Sequence, residues 1–150
     1  MKWVARKKAM VDRIACPWLI KKFIDKEAQF IFVSEEVLEV AEKEGAIPFD
    51  VKGVELNHYY ENGIEYVSFD AIIKKYALKD PALLELAKIV RGADAHYPQD
   101  VPEESKGLKA AALGFREISK DDYENMRLQF PLYDALYKYC QIKIGYNQPK

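Results

Sequence analysis

The dipeptide Asn62-Gly63 is the sequence feature that most constrains the fold, because it supplies the two positive-φ residues that a type I′ hairpin turn needs. Segments rich in β-forming residues flank it on both sides, which predicts a β-hairpin over about 54–67. A two-residue turn pairs Glu61 with Ile64 and therefore His58 with Val67. The middle of the chain is thus predicted to form an antiparallel pair of strands.

The first third of the chain alternates between strand and helix patterns. Apolar runs at Trp3-Val4 and at 28–33 predict strands, and helices are predicted from about Pro17, as a first-turn proline, and over 35–44, where Gly45 ends the helix. Beyond the hairpin the spacing is helical, with starts at Ser68, at Asp80-Pro81, near Ser105 and at Ser119, and with Pro131 expected to kink or split the last helix. We therefore predict an α+β fold in which five or six helices pack a small antiparallel sheet and the C-terminal half is helical.

Composition narrows the class of protein. The 150 residues carry 23 Lys+Arg and 24 Asp+Glu, 49% of them are hydrophobic, and no apolar run reaches the length of a membrane span. A single domain over 1–150 is predicted, with no membrane partner, and direct nucleic-acid binding is not expected because no basic reading helix is present. The two cysteines form no close pair, which favours free thiols and a cytoplasmic location. Ten tyrosines make a homo-oligomeric interface a candidate.

Residues on and after the hairpin offer the first candidate site. His58 lies on the apolar face of the predicted strand, where it is either a core histidine bonded to the backbone or a metal ligand or acid/base group. On the opposite face Glu55 is predicted to approach Asp70, and two close carboxylates need a cation, an arginine or a shared proton. Asp70 has a second reading as a helix first-turn acid that the helix dipole favours.

Two further segments bring arginine beside aspartate. Arg91-Gly92 reads either as a helix C-cap or as the start of a functional loop that includes Asp94 and His96. Asp12-Arg13 precedes Cys16, which is read either as a thiolate stabilised by a helix N-terminus or as a small buried hydrophobe. Cys140 falls on an apolar helical stripe and is read as a core residue.

Six segments, in order along the chain, have a distinctive composition: Val11-Asp12-Arg13-Ile14-Ala15-Cys16-Pro17-Trp18-Leu19-Ile20, Gly45-Ala46-Ile47-Pro48-Phe49-Asp50, Gly53-Val54-Glu55-Leu56 with His58, Ser68-Phe69-Asp70-Ala71, Ile89-Val90-Arg91-Gly92-Ala93-Asp94 and Leu132-Tyr133-Asp134-Ala135-Leu136-Tyr137. These segments resemble successive blocks of the ChrB C-terminal domain family of chromate-resistance proteins. The resemblance implies a module linked to chromate resistance that occurs alone or attached to other domains. The sequence departs from the family pattern at Asn57, where a glycine is usual, and at Val67, where a cysteine is usual.

Residues and resemblance together predict a cytoplasmic domain that binds a metal ion, an oxyanion or both. The predicted site residues are Asp12, Arg13 and Arg91 for the ligand, Glu55, His58, Asp70 and Asp94 for a divalent metal ion of unspecified identity, and His58 and Cys16 as candidate catalytic groups. The alternatives are a metal- or thiol-dependent enzyme, redox or hydrolytic, that uses the same pocket, and a sensor or protein-interaction module.

This hypothesis leads to two expected placements and one expected difference in reactivity. Glu55 and His58 should share one pocket through a bulge or an early strand end near Asn57. Arg13 and Arg91 should converge on that pocket. Cys16 should react with thiol reagents faster than Cys140, because a helix N-terminus lowers the pKa of a thiol.

Overall fold

Strands and helices alternate in the first half of the structure, a computed structural model that describes residues 1–146. Within those residues the elements in chain order are β1 (Lys2–Arg6), α1 (Asp12–Phe23), β2 (Gln29–Val33), α2 (Val37–Glu44), β3 (Ile47–Pro48), β4 (Tyr59–Glu61), β5 (Ile64–Tyr66), α3 (Ser68–Lys75), α4 (Pro81–Asp94), α5 (Glu103–Ile118) and α6 (Asp122–Tyr146). The α+β class, the helical C-terminal half and the six helices of this described part confirm the prediction.

The first three strands form a parallel sheet in the order β2-β1-β3. β1 is central, and its residues Trp3, Val4 and Ala5 are fully buried, as expected for a strand covered on both faces. Because the strands run in parallel, β1 and β3 end at the same edge of the sheet. Antiparallel pairing is found only between β4 and β5 among the described strands, so the predicted antiparallel sheet reduces to the hairpin itself.

The hairpin turn is confirmed, and the strands are shorter than predicted. Asn62 and Gly63 have φ angles of 53° and 77°, and Glu61 pairs with Ile64. Pairing stops at Tyr59 and Tyr66, whose rings stack 5.0 Å apart. The predicted pairing of His58 with Val67 is therefore wrong, because residues 51–58 form an irregular segment instead of continuing the strand. This early end frees His58 from the sheet register.

Several helix starts also differ from the predictions, and those of α1 and α3 matter for the site. α1 begins at Asp12, so Pro17 lies inside the helix and not in its first turn. α3 begins at Ser68 with Val67 as the capping residue, whose N–H donates to Asp70. The cap of α4 is confirmed, since the Asp80 carboxylate accepts hydrogen bonds from the N–H groups of Ala82 and Leu83.

The long helices pack into the main hydrophobic core, in which α4 contacts α5 and α6 and α1 contacts α6. Tyr133 and Cys140 of α6 are fully buried, and this confirms the prediction for Cys140. α6 runs unbroken through Pro131. None of the helices within residues 1–146 combines the length and apolar character needed to cross a membrane.

Gly92 is required by close helix packing and not by a C-cap, because α4 continues past it to Asp94. A Cβ at this position would lie 2.4 Å from Ser105 Oγ and 3.1 Å from Val101 Cγ1. The Ser105 hydroxyl is held in place by donating to the carbonyl of Ile89. The interpretation of Arg91-Gly92 as a helix end is thus wrong, and the small residue lets α5 approach α4.

We expect Gly92→Ala to lower the free energy of unfolding by about 1–2 kcal/mol, because the steric cost exceeds the gain in helix propensity. Gly107→Ala in α5 is the matched control, since a Cβ there meets no atom within 4 Å. That control should be neutral or stabilising by up to about 1 kcal/mol. Urea unfolding of both variants measures the difference, and equal effects would contradict the packing argument.

Candidate metal centre

Four side chains from separate elements meet at the carboxyl edge of the parallel sheet. Asp12 begins α1 directly after the β1 loop, Asp50 follows β3, His58 precedes β4, and Asp94 is the last residue of α4. Ligands of proteins with parallel sheets commonly bind at this edge, where loops after neighbouring strands diverge. We call these four residues the Asp-His cluster.

The imidazole of His58 is the centre of this cluster. Its Nε2 lies 3.0 Å from Asp94 Oδ2, 3.5 Å from Asp50 Oδ1 and 3.7 Å from Asp12 Oδ2. One ligand atom from each of the four residues lies within 4.8 Å of all the others. Ligands bound to one ion at about 2.0–2.6 Å are separated by at most about 5 Å, so the spacing is compatible with a metal site.

Asp12 is 1% exposed and is fixed by the backbone of α3. Its two carboxylate oxygens accept from the N–H groups of Ser68 at 2.7 Å and Phe69 at 3.1 Å. Burial raises the pKa of Asp12 well above its ordinary value, and the nearby charges of Asp94 and Asp50 raise it further, against the lowering effect of His58 and the Ser68 N–H. A buried carboxylate surrounded by like charges is stabilised by a cation.

The other ring nitrogen of His58 is held by Glu65, which sequence reasoning missed. Nδ1 lies 3.1 Å from Glu65 Oε2, and the glutamate is only 3% exposed. Backbone N–H groups of His96 and Tyr97 donate to its two oxygens at 3.0 and 2.8 Å. Burial by itself raises the pKa of Glu65, but these two N–H groups and His58 hold it below its ordinary value. A carboxylate on Nδ1 orients a histidine whose Nε2 faces a metal.

Asp50 was also missed as a site residue. Its Oδ1 accepts from the Ser68 hydroxyl at 2.6 Å, and its Oδ2 lies 3.3 Å from Nε of Arg13. The residue has a φ angle of 56°, a left-handed conformation that aspartate tolerates better than most residues. Its position directly after a short strand was the available signal, because neighbouring parallel strands end together.

Carboxylates surround His58 and set its protonation. Burial lowers the pKa of His58, but hydrogen bonds to Asp50 and Asp94, the charge of Asp12 and the Glu65 bond outweigh burial and raise the pKa to about 11. In the metal-free protein the ring is therefore cationic at neutral pH. It then supplies part of the charge that balances the surrounding acids.

A raised histidine pKa makes the metal-free protein less stable as the pH rises. The contribution of His58 is complete below the unfolded pKa of about 6.5 and is lost as the pH rises toward the folded value. We expect the stability advantage of wild type over His58→Gln, measured by urea unfolding with a chelator present, to fall by about 1 kcal/mol or more between pH 7 and pH 9. A difference that does not change with pH would contradict this charge assignment.

Five of the eight predicted site residues lie outside the Asp-His cluster, namely Arg13, Cys16, Glu55, Asp70 and Arg91. Glu55 is exposed and pairs with Lys75 at 3.0 Å, so the prediction that it shares a pocket with His58 is wrong. Asp70 forms a two-pronged ion pair with Arg91, in which Nε and Nη2 of the arginine lie 3.0 and 2.8 Å from the two carboxylate oxygens. The predicted approach of Glu55 to Asp70 fails because Glu55 lies in the irregular segment before β4.

The two arginines do not converge. Arg13 binds Asp50 and also donates from Nη1 to the carbonyls of Arg6 and Lys7 at 3.0 and 3.2 Å. Arg91 binds Asp70, and its guanidinium stacks on the Tyr66 ring at 4.8 Å. Arg13 therefore belongs to the edge of the cluster, whereas Arg91 supports the packing of α3, α4 and the hairpin.

Cys16 lacks the features of a reactive thiol. It is the fifth residue of α1 and is fully buried, because the helix starts at Asp12 and not near Pro17. Burial, followed by the charges of Asp12 and Asp50, raises its pKa well above the ordinary value. The expected low-pKa thiol at a helix N-terminus is thus wrong, and the alternative interpretation as a small buried residue describes Cys16 correctly. Burial also raises the pKa of Cys140, to about 11.

An open cavity of about 700 Å³ gives solvent and small ligands access to the cluster. His58, Asp50 and Asp94 line it together with Arg13, and His96 lies beside them with its ring 5.6 Å from that of His58. His58, Glu65 and His96 form a second group with metal-ligand spacing. Both oxygens of Glu65 and both oxygens of Asp12 accept backbone hydrogen bonds, so the two groups differ mainly in that the Asp-His cluster offers four ligand atoms against three.

Comparisons with known proteins place the chain beside one family. The family model described as ChrB, C-terminal domain, matches residues 3–140. Protein ChrB of Cupriavidus metallidurans is 31% identical to the chain over 121 residues, which is 80% of this chain and 35% of that protein. The chain thus spans about a third of the length of this curated relative. No solved structure matches the chain.

Proposed function

Because this chain belongs to the ChrB C-terminal domain family, we propose that it acts in chromate resistance as a domain that binds one divalent metal ion and an oxyanion beside it. The metal ligands are the members of the Asp-His cluster. The observation that carries the proposal is that ligand atoms of three carboxylates and one oriented imidazole lie within 4.8 Å of one another beside an open cavity. This set keeps His58 and Asp94 from the predicted metal ligands. Asp12, which the sequence analysis assigned to the oxyanion ligand, and Asp50 replace Glu55 and Asp70.

The charge around the cluster supports a divalent ion. Four carboxylates, those of Asp12, Asp50, Asp94 and Glu65, face the two cationic groups of His58 and Arg13. A metal ion on Nε2 requires the imidazole to release its proton, because only the neutral ring is a ligand. With the ring neutral, the four carboxylates and Arg13 leave an excess of three negative charges. A divalent cation beside these groups would offset two of those charges.

The donor types favour a particular group of metals. Carboxylate oxygens suit Mg²⁺ and Mn²⁺, and an imidazole nitrogen extends the preference to Mn²⁺, Fe²⁺ and Zn²⁺. Both cysteines of the chain are buried, and neither belongs to a group with ligand spacing among the described residues, which argues against ions that require thiolate. Mn²⁺ therefore suits the mixed set of oxygen and nitrogen donors.

An oxyanion would bind on the cavity side of the metal. Arg13 lies at this edge with its side chain about one-fifth exposed, and its planar guanidinium suits tetrahedral oxyanions such as chromate. A metal with open positions toward the cavity would supply the second point of attachment. Binding of the anion should therefore depend on binding of the metal.

Thermal melts test the proposal directly. Melts of chelator-treated wild type with Mn²⁺, Zn²⁺ or Mg²⁺ should show a higher Tm with at least one ion, and chromate or sulfate should raise Tm further only when that ion is present. Asp94→Asn should lose both shifts. Asp100→Asn, an exposed loop carboxylate outside the cluster, is the matched control and should keep them. A wild type whose Tm responds to none of the ions would overturn the proposal.

A further inference from the structure

A second polar cavity lies next to the cluster and carries the opposite charge. It has a volume of about 390 Å³, and its lining includes five cations from three separate segments of the chain: Arg6, Lys7, Lys8, Arg13 and Arg116. The one acid in its lining is Glu35. We call this cavity the basic cleft.

The basic cleft adjoins the cavity of the Asp-His cluster, because Arg6 and Arg13 line both. Arg13 also links the two chemically, since its Nε faces Asp50 while its Nη1 holds the backbone of Arg6 and Lys7. A ligand bound beside the Asp-His cluster would therefore have the cations of the basic cleft on one side. On its other side the basic cleft shares Lys7, Lys8 and Arg116 with a third cavity of about 620 Å³. Lys120 lines that third cavity.

The backbone that carries these cations is fixed. The N–H of Lys7 donates to the carbonyl of Val33 at the end of β2, at 2.8 Å. The N–H groups of Lys8 and Ala9 donate to the Asp122 carboxylate at 2.9 and 2.7 Å. Asp122 is thereby engaged with the backbone, and it holds Lys8 in a left-handed conformation with a φ angle of 64°. Hydrogen bonds to β2 and α6 therefore hold the backbone of the cleft at a defined place.

We propose that the basic cleft binds a ligand that carries two or more linked phosphates, with its terminal phosphate on the metal of the Asp-His cluster. A single tetrahedral anion beside the metal would reach Arg13, whereas a chain of phosphates would also meet Lys7, Lys8 and Arg116. Divalent ions held by a few carboxylates commonly complete their coordination with substrate phosphates, and arginine and lysine neutralise the remaining oxygens. The contact to the metal rests on the proposed function, while binding in the cleft does not.

The shape of the charged surface favours a compact polyphosphate over a nucleic-acid strand. The cations form one group around the cleft, and the acids Glu117 and Asp121 interrupt the positive charge on the side of Lys120. A strand bound through its backbone would need positive charge along a longer path. A ligand with several charges on adjacent phosphates matches a short and dense group of cations.

Titration calorimetry of the chelator-treated protein tests the cleft with inorganic phosphate, pyrophosphate and tripolyphosphate. We expect tripolyphosphate to bind at least tenfold more tightly than phosphate. The double variant Lys7→Ala/Arg116→Ala should lose at least tenfold in tripolyphosphate affinity, whereas Lys109→Ala, an exposed lysine on the same helix as Arg116, should not. Equal affinities for phosphate and tripolyphosphate would overturn the proposal, as would a single-stranded oligonucleotide that binds tenfold more tightly than tripolyphosphate.

A second titration separates this proposal from the metal proposal. An equimolar mixture of Mn²⁺ and tripolyphosphate should bind wild type more tightly than tripolyphosphate alone, and Asp94→Asn should lose that gain while keeping the metal-free affinity. If Mn²⁺ alone binds wild type and tripolyphosphate does not, the cleft proposal fails and the metal site stands. If tripolyphosphate binds and Mn²⁺ gives no gain, the bridging contact fails, and the titration with Mn²⁺ alone then decides whether the metal site stands.

Discussion

Replacing Arg91 by alanine should lower the free energy of unfolding by about 3 kcal/mol and leave metal binding unchanged. Arg91 forms a two-pronged pair with Asp70, whose side chain is 7% exposed. The hydrogen bond to Asp70 raises the pKa of Arg91, and this effect exceeds the opposing effect of burial. Removal of the guanidinium leaves the buried Asp70 carboxylate with one hydrogen bond within residues 1–146, which the Val67 N–H donates.

The same substitution distinguishes a structural arginine from a ligand-binding one. Arg91 packs on Tyr66 and fixes α4 against the start of α3, so its loss should affect folding and not the Asp-His cluster. Arg127→Ala is the control, because Arg127 is 71% exposed and its 3.7 Å pair with Glu124 should contribute less than about 1 kcal/mol. Chemical unfolding and Mn²⁺ titration of both variants measure the two effects. An Arg91→Ala protein of full stability with weakened metal or anion binding would contradict the account.

His58→Ala should weaken divalent-metal binding at least 100-fold, the largest effect on binding that we expect. The imidazole is the only nitrogen donor of the Asp-His cluster, and its Nε2 is within 3.0–3.7 Å of all three aspartates. The measurement is the Mn²⁺ or Zn²⁺ affinity by calorimetry at constant pH. Circular dichroism of the variant shows whether the fold is retained.

Glu65→Gln provides a graded comparison for the same site. Its side chain contacts Nδ1 of His58 and lies outside the Asp-His cluster, so it orients a ligand without serving as one. Loss of such a supporting carboxylate typically costs about 10–100-fold in metal affinity. We expect the loss in Glu65→Gln to be smaller than in His58→Ala. Equal metal affinity in wild type and His58→Ala would show that the cluster is not a metal site.

Local signals in the sequence predicted the elements whose conformation depends on neighbouring residues. The Asn62-Gly63 turn and the Asp80 cap both form as expected, because positive φ angles and capping hydrogen bonds are decided within a few residues. The end of α2 at Gly45, with a φ angle of 62°, has the same origin. The α+β class followed from the distribution of these elements along the chain.

Residues whose role depends on distant partners were harder to predict. Asp50 joins the site because β3 ends beside β1, and a two-residue strand leaves almost no periodicity to read. The placement of Glu55 was wrong because it assumed that strand pairing continued beyond Tyr59. Glu65 occupies the buried face of β5, where an acid needs a partner, and that alternation was a usable signal.

Elemental analysis of the protein purified without added metal and without a metal-affinity tag tests the central claim most directly. The account predicts about one equivalent of a divalent ion per chain in wild type, and none in a variant in which Asp12, His58 and Asp94 are replaced by Asn, Ala and Asn. Wild type that contains no divalent ion, and that takes up none from a saturating mixture of Mn²⁺, Fe²⁺ and Zn²⁺, would contradict it.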